Sequence, residues 1–304
     1  MISSGVNAFR LNTSHIGLSD LNQWIERLSK FSSCLEKRPD IVLDLQGSKW
    51  RIGHISTCIL DTGKKVRLVL AESSNQKGII PVPHEDFFDV CRSSSKEIFL
   101  NDAKIQLETE SFGNDSITAK VVKGGELSSR KGITYLSSDY RIESLNHHDR
   151  QILEQTRDTG LFRYAISYIR DASEMKRYRD MFGSNAHLIA KIEREKAIAD
   201  ASQIARYADA IWLCRGDLGA ELGQRSMAEA VHGFSAQIND LRVPVHMAGQ
   251  ILEHMKDSCS PTRSEICFMY DALLAGYRGF VLSDETAIGR YAPESCKVAA
   301  LFKD

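Results

Sequence analysis

The chain has 304 residues, 42% of them apolar, and its 39 basic and 40 acidic side chains give a formal net charge of −1. A chain of this length can build one large α/β barrel or two ordinary domains. The balanced charge, without a basic stripe, argues against a nucleic-acid-binding protein, and no apolar run approaches the roughly 20 residues of a membrane span.

The cysteines and the amino terminus indicate the compartment. Seven cysteines are scattered along the chain without a CxxC pair, which argues against both a zinc site and a disulfide framework. The amino-terminal residues lack the basic region and apolar core of a secretory signal. We therefore expect a reduced, soluble, cytoplasmic protein that binds neither nucleic acid nor a membrane.

The first predicted elements are a strand, a helix and a second strand. Residues 7–12 predict a short strand that contains Arg10 and Asn12, and apolar residues at helical spacing follow it. The apolar run 40–45 predicts a strand that is buried on both faces of a parallel sheet. Asp44 lies near the end of this strand, and Lys49 and Arg51 follow it.

The pattern changes after Gly53. Between residues 54 and 132, short β-type runs are separated by turn signals, and helical periodicity is nearly absent apart from a doubtful helix in HEDFFDVC (84–91). We therefore predict an inserted all-β domain over 54–132, which divides an α/β barrel into the segments 1–53 and 133–304.

Strands and helices alternate again in the second half of the chain. A closed (β/α)₈ barrel has eight parallel strands, whereas the sequence predicts one fewer, so the first βα unit is expected to be incomplete. Residues 133–140, a partner chain, or residues outside this sequence could fill the gap. The predicted strands are 7–12, 40–45, 163–167, 187–192, 210–214, 243–248 and 279–283.

Charged residues follow two neighbouring predicted strands of this barrel. Lys191 and Glu193 end one strand, and Asp217 lies in the turn RGDLG after the next. Two carboxylates beside a lysine at the carboxyl ends of strands favour a hard divalent cation next to a phosphate or enolate oxygen. The glycine-rich turn offers backbone N–H groups to an anion. The alternative interpretation of any one of these charged residues is that it lies in a solvent-exposed loop and has no role in a site.

Several ordered motifs connect these features along the chain. They include GVNAFRLNTSHIG (5–17), LDLQGSKWRIG (43–53), AKIE (190–193), RGDLG (215–219), PVHMAGQIL (244–252), PTRSE (261–265) and LSDETAIG (282–289). Together they resemble the pyruvate kinase family over almost the whole chain. The resemblance implies a (β/α)₈ barrel with an inserted β-domain lid, in agreement with the pattern of elements. It also implies phosphoryl transfer, with Mg²⁺ or Mn²⁺ as the cofactor.

The resemblance implies a role for each matching residue. Glu193 and Asp217 would ligate the divalent cation, and Lys191 and Arg10 would be catalytic, with Lys191 stabilising the transferring phosphoryl group and the enolate. The implied substrate-binding residues are Asn12, Ser167, Arg215, Gly216, Asp217 and Gly249, and the implied nucleotide-binding residues are Arg51 and Lys131.

The chain also departs from the family pattern. Gly249 stands where the family has a threonine that helps to bind the substrate carboxylate and protonate the enolate. Asp44 and Lys49 resemble the potassium-independent branch, in which a lysine supplies the charge of the monovalent ion, so we expect no K⁺ requirement. Thr134 replaces an asparagine of the nucleotide site. The sequence is also expected to lack the C-terminal allosteric domain of the family.

Three functions remain open from the sequence. The first is transfer of phosphate from phosphoenolpyruvate to ADP, giving pyruvate and ATP. The second is lyase or aldol chemistry on a 2-oxo acid through a Mg²⁺-enolate, for which Gly249 leaves room and histidines such as His15, His187 and His246 offer proton-transfer groups. The third is a binding protein that has lost catalysis, and homo-oligomerisation is left open for all three.

Overall fold

The computed structural model describes residues 1–33, 38–93, 97–101, 103–135 and 145–303. The chain forms two compact units. The barrel unit comprises Met1–Gly47, Leu145–Arg215 and Met227–Asp304, and the inserted unit comprises Ser48–Ser144 and Gly216–Ser226. The predicted domain limits of 1–53, 54–132 and 133–304 stay a prediction.

The described strands and helices are as follows in chain order. The strands are β1 (Ala8–Asn12), β2 (Asp40–Leu45), β3 (His54–Ile55), β4 (Cys58–Leu60), β5 (Lys65–Val69), β6 (Ser73–Ser74), β7 (Ile79–Pro81), β8 (Glu97–Leu100), β9 (Ile105–Phe112), β10 (Ser116–Lys123), β11 (Gly125–Leu127), β12 (Ile133–Tyr135), β13 (Phe162–Ile166), β14 (His187–Ile192), β15 (Ala210–Cys214), β16 (Val245–Ala248) and β17 (Phe280–Val281). The α-helices are α1 (Leu18–Ser33), α2 (Glu85–Ser93), α3 (His147–Thr156), α4 (Ala172–Phe182), α5 (Glu195–Ala199), α6 (Ala201–Ile204), α7 (Arg215–Ser235), α8 (Arg263–Leu274), α9 (Asp284–Ala287) and α10 (Ala292–Ala299). Short 3₁₀ turns lie at Ile2–Ser4, Thr13–His15, Arg157–Thr159, Ile238–Asp240 and Glu253–Lys256.

The barrel unit is built on a 7-stranded parallel sheet in the order β1-β2-β13-β14-β15-β16-β17. Every residue of β15 is buried, and in β2 and β14 the residues after the first are buried. Strands covered on both faces are typical of α/β barrels, which explains their nearly continuous apolar sequences. The predicted (β/α)₈-type barrel class is therefore confirmed, and the seven strands of the described sheet match the predicted ones with small shifts at the strand ends.

The amino-terminal turn packs on the last helix of the barrel unit. The 3₁₀ turn Ile2–Ser4 contacts α10, and Lys303 Nζ donates a hydrogen bond to Gly5 O at 3.1 Å. Gly5 has a φ of +93°, and a Cβ atom there would lie 2.6 Å from the Cβ of Ala300. Glycine is thus needed at this position both for the turn and for the close approach.

The inserted unit is built on a 6-stranded sheet in the order β12-β8-β9-β10-β5-β7, and all its pairs are antiparallel except β5 with β7. Two short ladders pair β11 with β4 and β3 with β6. The doubtful helix of the sequence is present as α2, and its Phe87 stacks edge-on against Trp50 and Tyr135 in the core of this unit. The described part of residues 54–132 therefore contains strands and the packed helix α2.

Part of the segment suggested as a substitute first barrel strand belongs to the inserted unit instead. Ile133–Tyr135 pairs antiparallel with β8, with Ile133 opposite Leu100 and Tyr135 opposite Ile98. Both Ile133 and Tyr135 are buried in the core of that unit. The suggestion is thus wrong for residues 133–135, and residues 136–140 lie outside the described residues.

Within the described ranges, no helix combines the length and the apolar character that a membrane crossing requires.

Candidate active site

The carboxyl ends of the first four barrel strands carry a group of polar and charged side chains. Asp44, Ser167 and Lys191 each lie two residues beyond an apolar residue of the barrel core, namely Val42, Ala165 and Ile189. Because side chains alternate along a strand, each polar residue points to the same face as its core neighbour. With the residues next to them they form the strand-end cluster: Arg10, Asp44, Ser167, Lys191 and Glu193.

Lys191 lies at the centre of the strand-end cluster. Its Nζ donates to Ser167 Oγ at 2.7 Å and lies 3.2 Å from both Asp44 Oδ1 and Glu193 Oε1. Arg10 Nε donates to the other oxygen of Asp44 at 2.6 Å. Buried charges are stable only when they are paired, and these contacts pair them. The Arg10 side chain keeps 28% of its surface exposed, so a cationic group remains accessible to an anion.

The same contacts fix the protonation states. Burial alone would raise the pKa of Asp44, but the charges of Lys191 and Arg10 outweigh burial and hold this pKa at about 2. Burial would lower the pKa of Lys191, yet Asp44 and Glu193 raise it above its usual value. Burial and Glu193 raise the pKa of the neighbouring Cys214 well above that of a free thiol. Asp44 and Lys191 are therefore both charged near neutral pH, and Cys214 is a neutral thiol.

A backbone N–H orients Glu193. Its Oε2 accepts a hydrogen bond from Tyr168 N at 2.7 Å, and Tyr168 has a φ of +67°, which is uncommon for a residue with a side chain. The guanidinium of Arg194 stacks on the Tyr168 ring at 4.9 Å. Backbone strain of this kind persists only where the surroundings enforce it and is concentrated at functional sites. The strained turn thus aims a donor at the Glu193 carboxylate.

Asp149 anchors the turn that follows β2. Its carboxylate accepts hydrogen bonds from Gly47 N at 2.8 Å and Gln46 N at 3.3 Å, and the residue is fully buried in the first turn of α3. Gly47 has a φ of +61°, and a Cβ atom there would lie 2.2 Å from Ser167 O. This glycine therefore lets the turn approach the end of β13, which brings Asp44 beside Ser167.

Arg215 holds the turn after β16. Its Nη2 donates to Gly249 O at 2.5 Å and Gln250 O at 3.0 Å, and its guanidinium stacks on Phe268 at 4.5 Å. Gly249 has a φ of +82° and Gln250 a φ of +53°. Two successive residues with positive φ form a tight turn, and the arginine binds both of its carbonyl oxygens. The described contacts of Arg215 thus support a loop that contains Gly249.

The inserted unit contains a second group around Asp217. Lys49 Nζ lies 2.5 Å from Asp217 Oδ2, and Thr134 Oγ1 donates to Asp217 Oδ1 at 3.1 Å. All three residues are buried, with 6%, 5% and 2% of the surface of Lys49, Asp217 and Thr134 exposed. A Cβ atom at Gly132 would lie 2.4 Å from Lys49 Cε, so this glycine makes room for the lysine.

Arg51 and Lys131 lie on two paired segments of the inserted unit. Arg51 forms an isolated antiparallel bridge with Gly132, and Ile52 N donates to Lys131 O at 3.0 Å. The Arg51 side chain donates to Arg130 O at 2.8 Å through Nη1. The structure therefore brings the backbones of the two predicted nucleotide-binding residues together.

Comparison with known proteins identifies the family. The model for the barrel domain of pyruvate kinase matches residues 1–296. The chain belongs to the pyruvate kinase family. It is 32% identical to a pyruvate kinase of Thermococcus litoralis over 99% of this chain and 64% of the relative. It is 30% identical to pyruvate kinases of Aeropyrum pernix and Agrobacterium vitis, over 97% of this chain and 64% and 62% of those relatives. The chain thus spans less than two thirds of the length of these relatives.

Pyruvate kinases generally use Mg²⁺, and usually K⁺, so the donor atoms can be tested against the divalent ion. Glu193 and Asp217 offer carboxylate oxygens, and each is oriented by a hydrogen bond, from Tyr168 N and Thr134 Oγ1 respectively. Among the described residues, no three His, Cys, Asp or Glu side chains form a metal-binding group. Mg²⁺ in phosphoryl-transfer sites is commonly held by one or two carboxylates and completed by substrate oxygens and water, so each of these side chains has the donor chemistry that this ion prefers.

The remaining predicted site residues are placed as follows. Asn12 accepts a hydrogen bond from Ser14 N at 3.3 Å and caps the turn after β1, and Gly216 lies in the first turn of α7. In the PTRSE motif, Thr262 and Glu265 form a capping box at the start of α8.

Two of the histidines considered as proton-transfer groups lie away from the strand-end cluster. His187 is the first residue of β14, at its amino end, and is level with Arg163. Burial lowers the pKa of His246, and the charges of Arg163 and His187 lower it further. His246 therefore lies near Arg163 and His187. His246 is the second residue of β16, which continues to Ala248.

Proposed function

We propose that this member of the pyruvate kinase family transfers a phosphoryl group from phosphoenolpyruvate to ADP, giving pyruvate and ATP. The observation that carries the proposal is the strand-end cluster. In it, Lys191 and Arg10 both contact Asp44, and Lys191 also donates a hydrogen bond to Ser167. Phosphoryl transfer depends on positive groups positioned around a dispersed negative charge. A preformed pair of cations with balancing carboxylates is suited to that task.

The proposed reaction breaks the bond between phosphorus and the enol oxygen and forms one to the terminal phosphate oxygen of ADP. Lys191 would stabilise the transferring group and the enolate, while Arg10, Asn12 and Ser167 would contact phosphate oxygens. Asp44 would hold Arg10 and Lys191 in place, since it contacts both of them at 3.2 Å or less. Arg51 and Lys131 would bind the nucleotide, and the turn at Arg215, Gly216 and Asp217 would bind the substrate carboxylate.

Glu193 and Asp217 would hold the divalent cation. When bound, Mg²⁺ or Mn²⁺ would supply positive charge to the phosphoryl and enolate oxygens. Glu193 is suited to this role because Tyr168 N fixes one of its oxygens, while the charge of Lys191 lies beside the other. Asp217 offers its Oδ1, which accepts a hydrogen bond from the neutral Thr134 hydroxyl, while Lys49 pairs with its Oδ2.

The test is a coupled assay of pyruvate formation from phosphoenolpyruvate, ADP and Mg²⁺. Lys191→Met is expected to lower the rate by about a hundredfold or more, the usual effect of removing a group that stabilises transition-state charge. Lys176→Met is the matched control, because Lys176 lies on α4 with 56% of its side chain exposed and pairs with Asp180. The proposal fails if the wild-type chain gives no turnover, or if the two variants have the same rate.

Gly249 supports lyase or aldol chemistry on a 2-oxo acid as a second candidate. Gly249 has no hydroxyl to bind a carboxylate or protonate an enolate, and loss of one hydrogen bond to a charged group is worth about 1.5–3 kcal/mol. An enzyme of this kind would bind Mn²⁺ and oxalate, an enolate mimic, without forming ATP. Failure to bind Mn²⁺ would remove both candidates.

A further inference from the structure

We propose that Thr134 is a positioning residue that orients the Asp217 carboxylate toward a divalent cation. The inference rests on the proposed function, in which Asp217 is a ligand of that cation. It concerns a residue that differs from the family pattern, since Thr134 stands where an asparagine of the nucleotide site is expected. The structure instead directs its hydroxyl to Asp217 Oδ1, at 3.1 Å.

The sheet of the inserted unit holds Thr134 in place. Thr134 lies in the middle of β12, where it is level with Phe99 of β8, and its neighbours Ile133 and Tyr135 are buried in the core. Only 2% of the residue is exposed. A β-branched side chain has few available rotamers, so its hydroxyl points in a nearly fixed direction. The donor is therefore preorganised before any cation binds.

Thr134 and Lys49 hold Asp217 in different ways. Lys49 binds Oδ2 as a charged partner at 2.5 Å, and its positive charge opposes the approach of a second cation. The Thr134 hydroxyl is neutral and donates one hydrogen bond, which leaves Oδ1 with an acceptor site to spare. Thr134 can thus fix the carboxylate without electrostatic cost to a bound metal ion. Partners of this kind around ligand groups tune metal affinity.

The test is the affinity of the full chain for Mn²⁺, measured from the electron paramagnetic resonance signal of free Mn²⁺ during titration. Thr134→Val removes the hydroxyl and keeps the shape, and we expect about tenfold weaker binding. Thr134→Ser restores the donor and is expected to bind nearly as well as wild type. If the valine variant does not fold, Thr134→Ala provides the same comparison.

Thr109 provides a matched control in the same unit. It is a buried threonine on β9, with 5% of its surface exposed, and its Oγ1 has no hydrogen-bond partner among the described residues. Thr109→Val should leave the affinity for Mn²⁺ unchanged. If the wild-type chain binds Mn²⁺ and the two variants, Thr134→Val and Thr109→Val, change its affinity equally, the inference is wrong. The metal site of the proposed function is not affected by that result. A wild-type chain that binds no Mn²⁺ would overturn the inference together with the metal site of the proposed function.

Discussion

Lys191 and Lys49 are both buried lysines, yet they have different partners. Lys191 lies among Ser167, Asp44 and Glu193 in the barrel unit, whereas Lys49 pairs with Asp217 in the inserted unit. A buried ammonium that is fixed by a carboxylate is a permanent positive charge at its position. The contact of Lys49 is thus compatible with the expectation that a lysine takes the place of a monovalent ion.

We predict that activity does not depend on K⁺. Initial rates measured in KCl and in NaCl at equal ionic strength should be the same, because Lys49 supplies its charge in both salts. Lys49→Met should lower the rate in NaCl, while Lys65→Met, which changes a side chain that is 69% exposed and pairs with Glu110, should not. A several-fold activation of the wild-type chain by KCl over NaCl would contradict the role of Lys49.

Single residues also show what could be read from the sequence. Glu193 and Lys191 are two residues apart on a predicted buried strand, so alternation alone places both on one face. The donor to Glu193 could not be found in this way, because it is the backbone N–H of Tyr168 in a strained turn. Asp149 carries only the signal of a residue in a first helical turn, and its bonds to Gly47 and Gln46 cross more than 100 residues of chain.

Among the elements, the buried parallel strands were the most predictable because they are apolar and bounded by turn signals. Ile133–Tyr135 was harder, since a three-residue β-type segment fits the edge of either sheet. Its partner β8 lies far from it in sequence, and burial of Ile133 and Tyr135 in the inserted unit decides the pairing. Short strands carry too little pattern to specify their register.

The turn between β16 and α8 depends on Gly249. Its φ of +82° is readily adopted by glycine but is strained for a β-branched residue. The family threonine therefore cannot be introduced without moving the turn that Arg215 holds. The departure at this position concerns the backbone as well as the missing hydroxyl.

We predict that Gly249→Thr lowers the free energy of unfolding by about 1–3 kcal/mol, the usual cost of a strained backbone conformation. Thermal or denaturant unfolding of the purified chain measures this change. Gly233→Ala in α7 is the control: a Cβ atom there has nothing within 4 Å, and alanine favours a helix over glycine by about 1 kcal/mol. If Gly249→Thr unfolds like the wild-type chain, the turn does not require glycine.

For the molecule as a whole, sequence and structure agree on a seven-stranded parallel barrel sheet interrupted by a β-rich insert. The model for the barrel domain of pyruvate kinase matches residues 1–296. The sequence could predict Glu193 and Asp217, because each follows a buried strand, whereas the hydrogen-bond donors Tyr168 N and Thr134 Oγ1 come from distant parts of the chain.

Phosphorus NMR of the wild-type chain with phosphoenolpyruvate, ADP and Mg²⁺ tests the proposed phosphoryl transfer most directly. We predict that the phosphoenolpyruvate signal falls while the γ-phosphate signal of ATP rises by the same amount, because the phosphoryl group passes directly to ADP. Omission of Mg²⁺ should abolish the change. An unchanged phosphoenolpyruvate signal, or release of inorganic phosphate without ATP, would contradict the proposed function.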